Sequence, residues 1–264
     1  MATGKTTELS VGQMTTIPCG DLNVHVYSTC DPIDDRVIIL EKARRAVAIE
    51  LPCFRDSIEA VTSWLKDEGI AVEAKLVSYH AAGSSFLPDV RSIMTPSAHA
   101  YNTTGGGKGL VTNFAGAFGE AFDETIPEAD EIIGAGETEI AGVRLVIVPN
   151  DEAYEVEIPE AGAVYMHMLG HDCHSIVAGP GHADAIIANL RGYLDRRFTL
   201  FLSSHYMPET REDVETKIAY LGMLKEVAAS SSSAEEFKAK VSEACPGYSG
   251  ANYLDMTAGM FFPQ

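Results

Sequence analysis

The sequence lacks the long apolar segments that characterise membrane-spanning and secreted proteins. No apolar run reaches the roughly 18 residues that a membrane-spanning helix needs. Residues 1–16 contain no apolar stretch after Lys5, so they do not look like a secretory signal. We therefore expect a cytoplasmic protein.

Cysteine is also scarce, and its distribution excludes two kinds of small stabilised fold. The cysteines are five in number, are scattered along the chain and contain no Cys-x-x-Cys pair. An odd, unpaired set argues against a disulfide framework, and the missing pair argues against a zinc ribbon. The pattern predicts reduced thiols at Cys19, Cys30, Cys53, Cys173 and Cys245.

Basic side chains are too few for a nucleic-acid-binding or membrane-surface protein. Lys and Arg total 19 against 38 Asp and Glu, which gives a formal net charge of −19. Such a chain repels phosphate backbones and anionic lipid unless it has a local basic patch. The longest basic stretch, residues 42–45, is typical of a solvated turn. We expect a small-molecule substrate or ligand as partner, no nucleic acid and no membrane, with homo-oligomerisation left open.

The apolar pattern predicts strands and helices that alternate along most of the chain. With 264 residues and 46% apolar side chains, the chain can bury a large core. We predict one main domain over residues 1–229, and over residues 230–264 a C-terminal helix and an aromatic tail that pack on the body or on a second subunit. Strands are predicted at residues 22–27, 37–40, 46–51, 71–79, 143–148, 153–158, 163–169 and 198–202. Helices are predicted at residues 54–65, 183–195, 208–227 and 234–244.

Residues 81–119 are rich in Gly, Ser, Thr and Asn, and we predict a long loop there. Loops of this length inside a compact domain are usually functional or mobile. The segment 103–109 resembles a phosphate-binding loop only superficially, because no Ser or Thr follows Lys108 and the first glycine is missing.

The segment 164–179 concentrates side chains that bind transition metals. It begins as an apolar run, turns at Gly170, and holds imidazoles, a carboxylate and a thiol in His167, His171, Asp172, Cys173 and His174. Imidazole, carboxylate and thiolate are the usual ligands of divalent transition metals. The alternative interpretation is that one or two of these histidines are hydrogen-bonded structural residues.

Three histidines share a position at the end of a predicted strand. His80, His171 and His205 each follow an apolar strand, so their side chains can converge at one edge of a sheet. Three neutral nitrogens and a water form the composition of an open, catalytic zinc site.

The order of these elements and the residues at their ends resemble the metallo-β-lactamase superfamily. The resemblance extends from about residue 23 to residue 227. Residues 46–52 are similar to the family strand that ends in an acidic residue, here Glu50. Residues 170–175 and 203–208 are similar to the two Gly-His turns whose histidines bind metal, here His171 and His205. The resemblance implies an α/β (α+β) fold, the αββα four-layer sandwich of that superfamily.

The chain departs from the family at its chief signature. The family motif His-x-His-x-Asp-His follows the fourth strand, where residues 78–84 read Ser-Tyr-His-Ala-Ala-Gly-Ser. His80 falls between the first two histidine positions of the motif, and the bridging aspartate has no clear match. We therefore expect an altered site with one metal ion instead of two.

The resemblance implies a metal-dependent hydrolase that acts on a small ester, thioester, lactone or amide. One divalent transition metal, zinc first, would be bound by His80, His171 and His205, with His174 or Asp172 as fourth ligand or supporting partner. Glu50 or Asp172 would act as the proton acceptor.

Two other functions stay open at this point. The lost signature favours an inactive relative that binds a small molecule or a protein. A redox or metal-storage role would use Cys173 together with the histidines.

Overall fold

The computed structural model describes residues 4–263. The predictions made above for residues 1–3 and for Gln264 lie outside the described residues. The chain divides into two compact units. The first comprises Met1–Met168 and Leu202–Pro208, and the second comprises Leu169–Phe201 and Glu209–Gln264. The boundary predicted after residue 229 stays a prediction.

The first sheet has eight strands, which follow one another in chain order across the sheet. They are β1 (Lys5–Glu8), β2 (Gln13–Cys19), β3 (Leu22–Ser28), β4 (Arg36–Lys42), β5 (Arg45–Ile49), β6 (Ala71–Leu76), β7 (Ser92–Met94) and β8 (Glu131–Ile132). The first five pair antiparallel, and each pair from β5 to β8 is parallel. Because parallel neighbours need a crossover, helix α1 (Arg55–Asp67) lies between β5 and β6.

The second sheet has five strands, in the order β13-β12-β11-β10-β9. They are β9 (Gly136–Ile140), β10 (Val143–Pro149), β11 (Tyr154–Ile158), β12 (Ala163–Met166) and β13 (Leu200–Ser203). Strand β10 alternates buried Val143, Leu145 and Ile147 with more exposed neighbours, as a sheet with one covered face requires. The hydroxyl of Ser78, two residues after β6 of the first sheet, donates to the carbonyl oxygen of Tyr154 in β11 of the second sheet at 2.7 Å.

The segment 81–119 is not the long loop that its composition suggested. It contains β7 and two helices, α2 (Pro96–Thr103) and α3 (Gly106–Phe118). Thr95 caps α2 by accepting the N–H of Ala98, and Pro96 occupies the first turn, where its missing N–H costs little. In α3, apolar side chains at helical spacing pack on a cluster around Phe54. The loop prediction was wrong because this apolar spacing outweighs the low helix propensity of the glycines.

The second unit is mainly helical. Its helices are α4 (Pro180–Asp195), α5 (Arg211–Ala229), α6 (Ala234–Ala244) and α7 (Ala251–Phe261). Helix α5 begins with a capping box in which Thr210 and Asp213 satisfy each other's backbone N–H groups. Helix α7 occupies most of the aromatic tail. No helix within residues 4–263 is both long enough and apolar enough to cross a bilayer.

Candidate metal centre

Three histidines of the first unit come together at the ends of strands from both sheets. His80 lies in the turn after β6, His167 is the first residue after β12, and His205 lies two residues after β13. One ligand nitrogen from each lies within 4.8 Å of the other two, and this is the one such group in the described part of the chain. The side chains are partly buried, with 17% of His80 and 20% of His205 exposed.

The spacing of the three rings fits a single tetrahedral metal ion. The ring centroids of His80, His167 and His205 lie 4.8 to 5.0 Å apart. Three imidazoles on one zinc ion, with Zn–N bonds of about 2.0–2.1 Å, place their ring centroids about 5 Å apart. The separation of the rings is therefore compatible with a shared ion.

A buried carboxylate lies against two of these imidazoles. The oxygens of Asp35, a residue that is 3% exposed, lie 3.2 Å from Nδ1 of His205 and 3.5 Å from Nδ1 of His80. Burial raises the pKa of Asp35, but His80 and His205 outweigh this effect and lower the pKa overall. Nδ1 of His80 and Oδ1 of Asp35 are buried without a hydrogen bond of regular geometry. A bound cation would compensate the buried negative charge beside them.

His167 is held by a chain of hydroxyl groups that ends on a second carboxylate. The Tyr165 hydroxyl donates to Glu50 at 2.5 Å, and Ser204 Oγ lies 2.5 Å from the same hydroxyl. Since the single proton of Tyr165 goes to Glu50, Ser204 must donate to Tyr165. Ser204 Oγ then accepts from Nδ1 of His167, 3.4 Å away. The chain therefore favours the tautomer of His167 whose Nε2 carries the free lone pair.

The environment of His167 also keeps its ring neutral. Burial and the neighbouring His80 and His205 lower the pKa of His167 well below its ordinary value. A neutral imidazole is the form that binds a metal ion. The ring of Tyr79 stacks on that of His167, with centroids 4.1 Å apart and planes 16° from parallel. This contact fixes the ring plane and forms one wall of the site.

Glu50 organises the turn that carries His80. Its φ of 66° turns the chain sharply after β5, and the residue is fully buried. The carboxylate accepts the Tyr165 hydroxyl and the backbone N–H groups of Ser78, Tyr79 and His80. These contacts support a positioning role. The proton-acceptor role that the sequence suggested for Glu50 stays a prediction.

The other residues predicted for the site lie in the second unit. The group of ligand nitrogens includes His80 and His205 but neither His171 nor His174. His171 Nδ1 lies 2.8 Å from Glu209. Burial is the largest single effect and lowers the pKa of His171, but the Glu209 hydrogen bond together with the charges of Asp213, Glu209 and Asp172 raises the pKa overall. His174 is buried, with Nδ1 2.9 Å from the Tyr220 hydroxyl.

Asp172 is exposed, and its backbone oxygen accepts the N–H of Ser249 at 3.1 Å. The metal-binding roles predicted for His171 and His174, and the catalytic role predicted for Asp172, stay predictions.

Two residues of the site were not singled out from the sequence. His167 was noted only as a member of the segment 164–179, and the predicted strand 163–169 placed it inside a strand. Strand β12 ends at Met166, so His167 occupies the strand-end position that had singled out His80 and His205. Asp35 carries no motif, and its only sequence signal is its place directly before a buried strand.

Comparison with known proteins identifies the fold. No protein-family model matches the sequence, and no curated protein matches it either. Among solved structures, the inverting sec-alkylsulfatase Pisa1 from Pseudomonas sp. matches with a TM-score of 0.64 at 15% identity, covering 90% of this chain and 48% of that one. This chain therefore spans about half the length of the alkylsulfatase.

Two further structures match over more of their own length. A metallo-β-lactamase family protein from Thermus thermophilus matches with a TM-score of 0.61 at 14% identity, covering 91% of both chains. A metallo-β-lactamase from Erythrobacter litoralis matches with a TM-score of 0.56 at 13% identity, covering 83% of this chain and all of that one. The fold predicted from the sequence is confirmed: this chain has the metallo-β-lactamase fold, two mixed sheets flanked by helices.

Proposed function

We propose that the protein is a metal-dependent hydrolase with a single zinc ion, acting on a small ester, thioester, lactone or amide. The observation that carries the proposal is the cluster of His80, His167 and His205. Three neutral imidazoles that leave one coordination position open are the donor set of catalytic zinc sites such as His₃ centres. The carboxyl-to-imidazole contacts around them are those that support ligating histidines in metalloenzymes.

Each part of the site has a separate task in this proposal. His80, His167 and His205 hold the ion, which when bound supplies a hydroxide near neutral pH and polarises the substrate carbonyl. Glu50 fixes the turn that carries His80, and the Ser204 hydroxyl fixes the tautomer of His167. The Tyr79 ring stacks on the ring of His167 and holds its plane.

The charge of the chain bears on the choice of substrate. With a net charge of −19, the protein repels anions over most of its surface, which favours uncharged esters, lactones and amides. The similarity to an alkylsulfatase adds one anionic class, the alkyl sulfate esters, to the substrates worth assaying. A small molecule is the only partner that this proposal needs.

Metal analysis tests the centre. Protein purified without added metal, then incubated with zinc and desalted, is expected to hold about one equivalent of zinc, as a single His₃ site requires. The variant His167→Ala is expected to lose the ion because one of three ligands is removed. The variant His99→Ala, in exposed helix α2, serves as the matched control and is expected to keep it. Wild-type protein that takes up less than about a tenth of an equivalent contradicts the proposal.

The same zinc analysis decides between two ligand sets. The structure gives His80, His167 and His205, and the sequence predicted His80, His171 and His205. If His171→Ala retains zinc while His167→Ala loses it, the set found in the structure is correct. The reverse result supports the set predicted from the sequence.

Turnover tests the hydrolase itself. Zinc-loaded protein is expected to hydrolyse at least one member of a panel of esters, thioesters, lactones, amides and alkyl sulfates, and His167→Ala is expected to be inactive. Bound zinc without turnover on the whole panel contradicts a hydrolase and favours the binding role.

A further inference from the structure

Asp35 has no individual task in the proposed hydrolase, although its carboxylate lies against the imidazoles of two candidate ligands. Its two oxygens face two different imidazoles, Nδ1 of His205 at 3.2 Å and Nδ1 of His80 at 3.5 Å, as close contacts without the regular geometry of a hydrogen bond. The carboxylate is almost completely buried, and the thiol of Cys53 donates to its Oδ2 at 3.8 Å.

The backbone holds Asp35 in this position. Its carbonyl oxygen accepts the N–H of Thr29 at 3.0 Å, and the next residue, Arg36, begins β4. The N–H of Arg36 donates at 2.6 Å to the carbonyl of Ser204, the residue before His205. This hydrogen bond between Arg36 and Ser204 brings their chain neighbours Asp35 and His205 together, whatever contacts the two side chains make.

A neutral imidazole carries an N–H on one nitrogen and a free lone pair on the other. The group that faces one of the nitrogens decides which nitrogen carries the N–H. A carboxylate is an acceptor only, so a neutral imidazole beside it presents N–H at the nearer nitrogen. In His80 and His205 the nitrogen nearer to Asp35 is Nδ1, so by this rule the neutral rings would carry N–H there and the lone pair on Nε2.

We propose that Asp35 is a positioning residue that fixes the tautomer and orientation of His80 and His205, one with each oxygen, and so prepares two of the three metal ligands at once. This inference rests on the metal centre proposed above. It goes beyond that centre by assigning a function to a residue outside the ligand set. With Ser204 serving His167, all three ligands would present Nε2.

Metal affinity gives the first test. Competition of zinc with a chromophoric chelator is expected to show binding about tenfold to a hundredfold weaker in Asp35→Asn than in the wild type, the usual effect of removing such a partner. Asparagine keeps the size of the side chain but has one acceptor oxygen and no charge, so it can serve at most one imidazole. The control, Asp21→Asn, removes a carboxylate that is 75% exposed.

Imidazole NMR of the metal-free wild type gives a second test that needs no variant at Asp35. Spectra recorded about two pH units above the ordinary imidazole pKa of about 6.5 report the tautomer of each neutral ring. Signals are assigned by their loss in His80→Gln and His205→Gln. We expect Nδ1–H in both residues, and an Nε2–H tautomer in either overturns the proposal.

The two tests separate failure of this inference from failure of the metal centre. Wild-type protein that binds zinc, with Asp35→Asn binding within about twofold of it, overturns the role of Asp35 and leaves the metal centre intact. Wild-type protein that binds no zinc contradicts the metal centre, and the tautomers alone then decide the role of Asp35. A loss of the near-ultraviolet circular dichroism in Asp35→Asn would mean that the variant has lost its tertiary packing. The tautomers of the wild type then decide the role of Asp35.

Discussion

The hydroxyl of Tyr165 connects the residue that holds the turn of His80, Glu50, with the residue that contacts His167, Ser204. It donates to Glu50 and accepts from Ser204, so one buried oxygen links the turn of His80 to the tautomer of His167. Burial first, and the charge of Glu50 second, raise the pKa of Tyr165 well above its ordinary value, so the hydroxyl stays protonated and remains a donor. This O–H group therefore links the supports of two of the three candidate ligands.

Replacing Tyr165 with Phe tests this dependence. Loss of a buried partner of a charged group is expected to lower the free energy of unfolding by about 1–3 kcal/mol and to weaken zinc binding as well. Urea unfolding and chelator competition measure the two effects. The control, Tyr79→Phe, removes an exposed hydrogen bond to Asn150 and is expected to cost less. Equal losses in both variants would contradict the proposed chain.

His25 predicts a dependence of stability on pH. Burial lowers the pKa of His25, an effect that exceeds the opposing attraction of Glu41, and the ring lies 5.0 Å from that of Trp64. A lowered pKa means that the unfolded chain binds the proton more readily. Stability is therefore complete above the unfolded pKa of about 6.5, and it decreases as pH falls towards the lowered folded pKa.

Urea unfolding of the metal-free protein, followed by the fluorescence of Trp64, the single tryptophan, measures this effect. We expect the free energy of unfolding to fall between pH about 7.5 and about 5, with a smaller decrease in His25→Gln. The variant itself is expected to be less stable at the higher pH because it alters the contacts with Thr16 and Trp64. An unchanged pH dependence would rule out a contribution from His25.

At the scale of elements, close backbone packing after β6 sets the course of the chain beyond His80. Gly83 has a φ of 100°, and a Cβ there would lie 2.0 Å from the carbonyl oxygen of Pro52. Its N–H donates to the carbonyl of Thr125 at 3.1 Å. Only glycine fits this position, since both the backbone conformation and the space exclude a side chain.

A pair of glycine substitutions tests this account with opposite signs. Gly83→Ala is expected to destabilise the protein by about 3 kcal/mol or more, from strain and overpacking together. Gly109→Ala, at an exposed position of helix α3 where a Cβ meets nothing within 4 Å, is expected to stabilise it by about 0.5–1 kcal/mol. Thermal unfolding of the two variants measures both. Two shifts of the same sign would contradict the described backbone.

Strand positions could be predicted from the sequence better than strand ends, and the site depends on the ends. The strand that leads to His167 was expected to continue to residue 169, but it ends at Met166. Apolar Met168 and Leu169 extend the pattern past the point where the ladder stops, so composition alone cannot locate the end. His80 and His205 were singled out because each directly follows a predicted apolar strand. Asp35 could not be found, because only tertiary packing brings it to the histidines.

At the scale of the whole molecule, the order of strands and helices sufficed to predict the fold, and the comparisons confirm it. The same comparisons do not identify the chemistry of the site, because matches at 13–15% identity reflect backbone architecture. The chemistry has to be argued from this chain's own residues. The structure adds a cluster of three histidine side chains and two carboxylates that contact their surroundings. Because the chain has a net charge of −19, a bound cation would supply the positive potential that a substrate meets at the site.

Anomalous X-ray scattering from zinc-soaked crystals tests the central claim most directly. Data on either side of the zinc absorption edge are expected to show one peak, about 2.0–2.1 Å from a ring nitrogen of each of His80, His167 and His205. The absence of a peak there, or a peak bound instead by His171 and His174, would contradict the account.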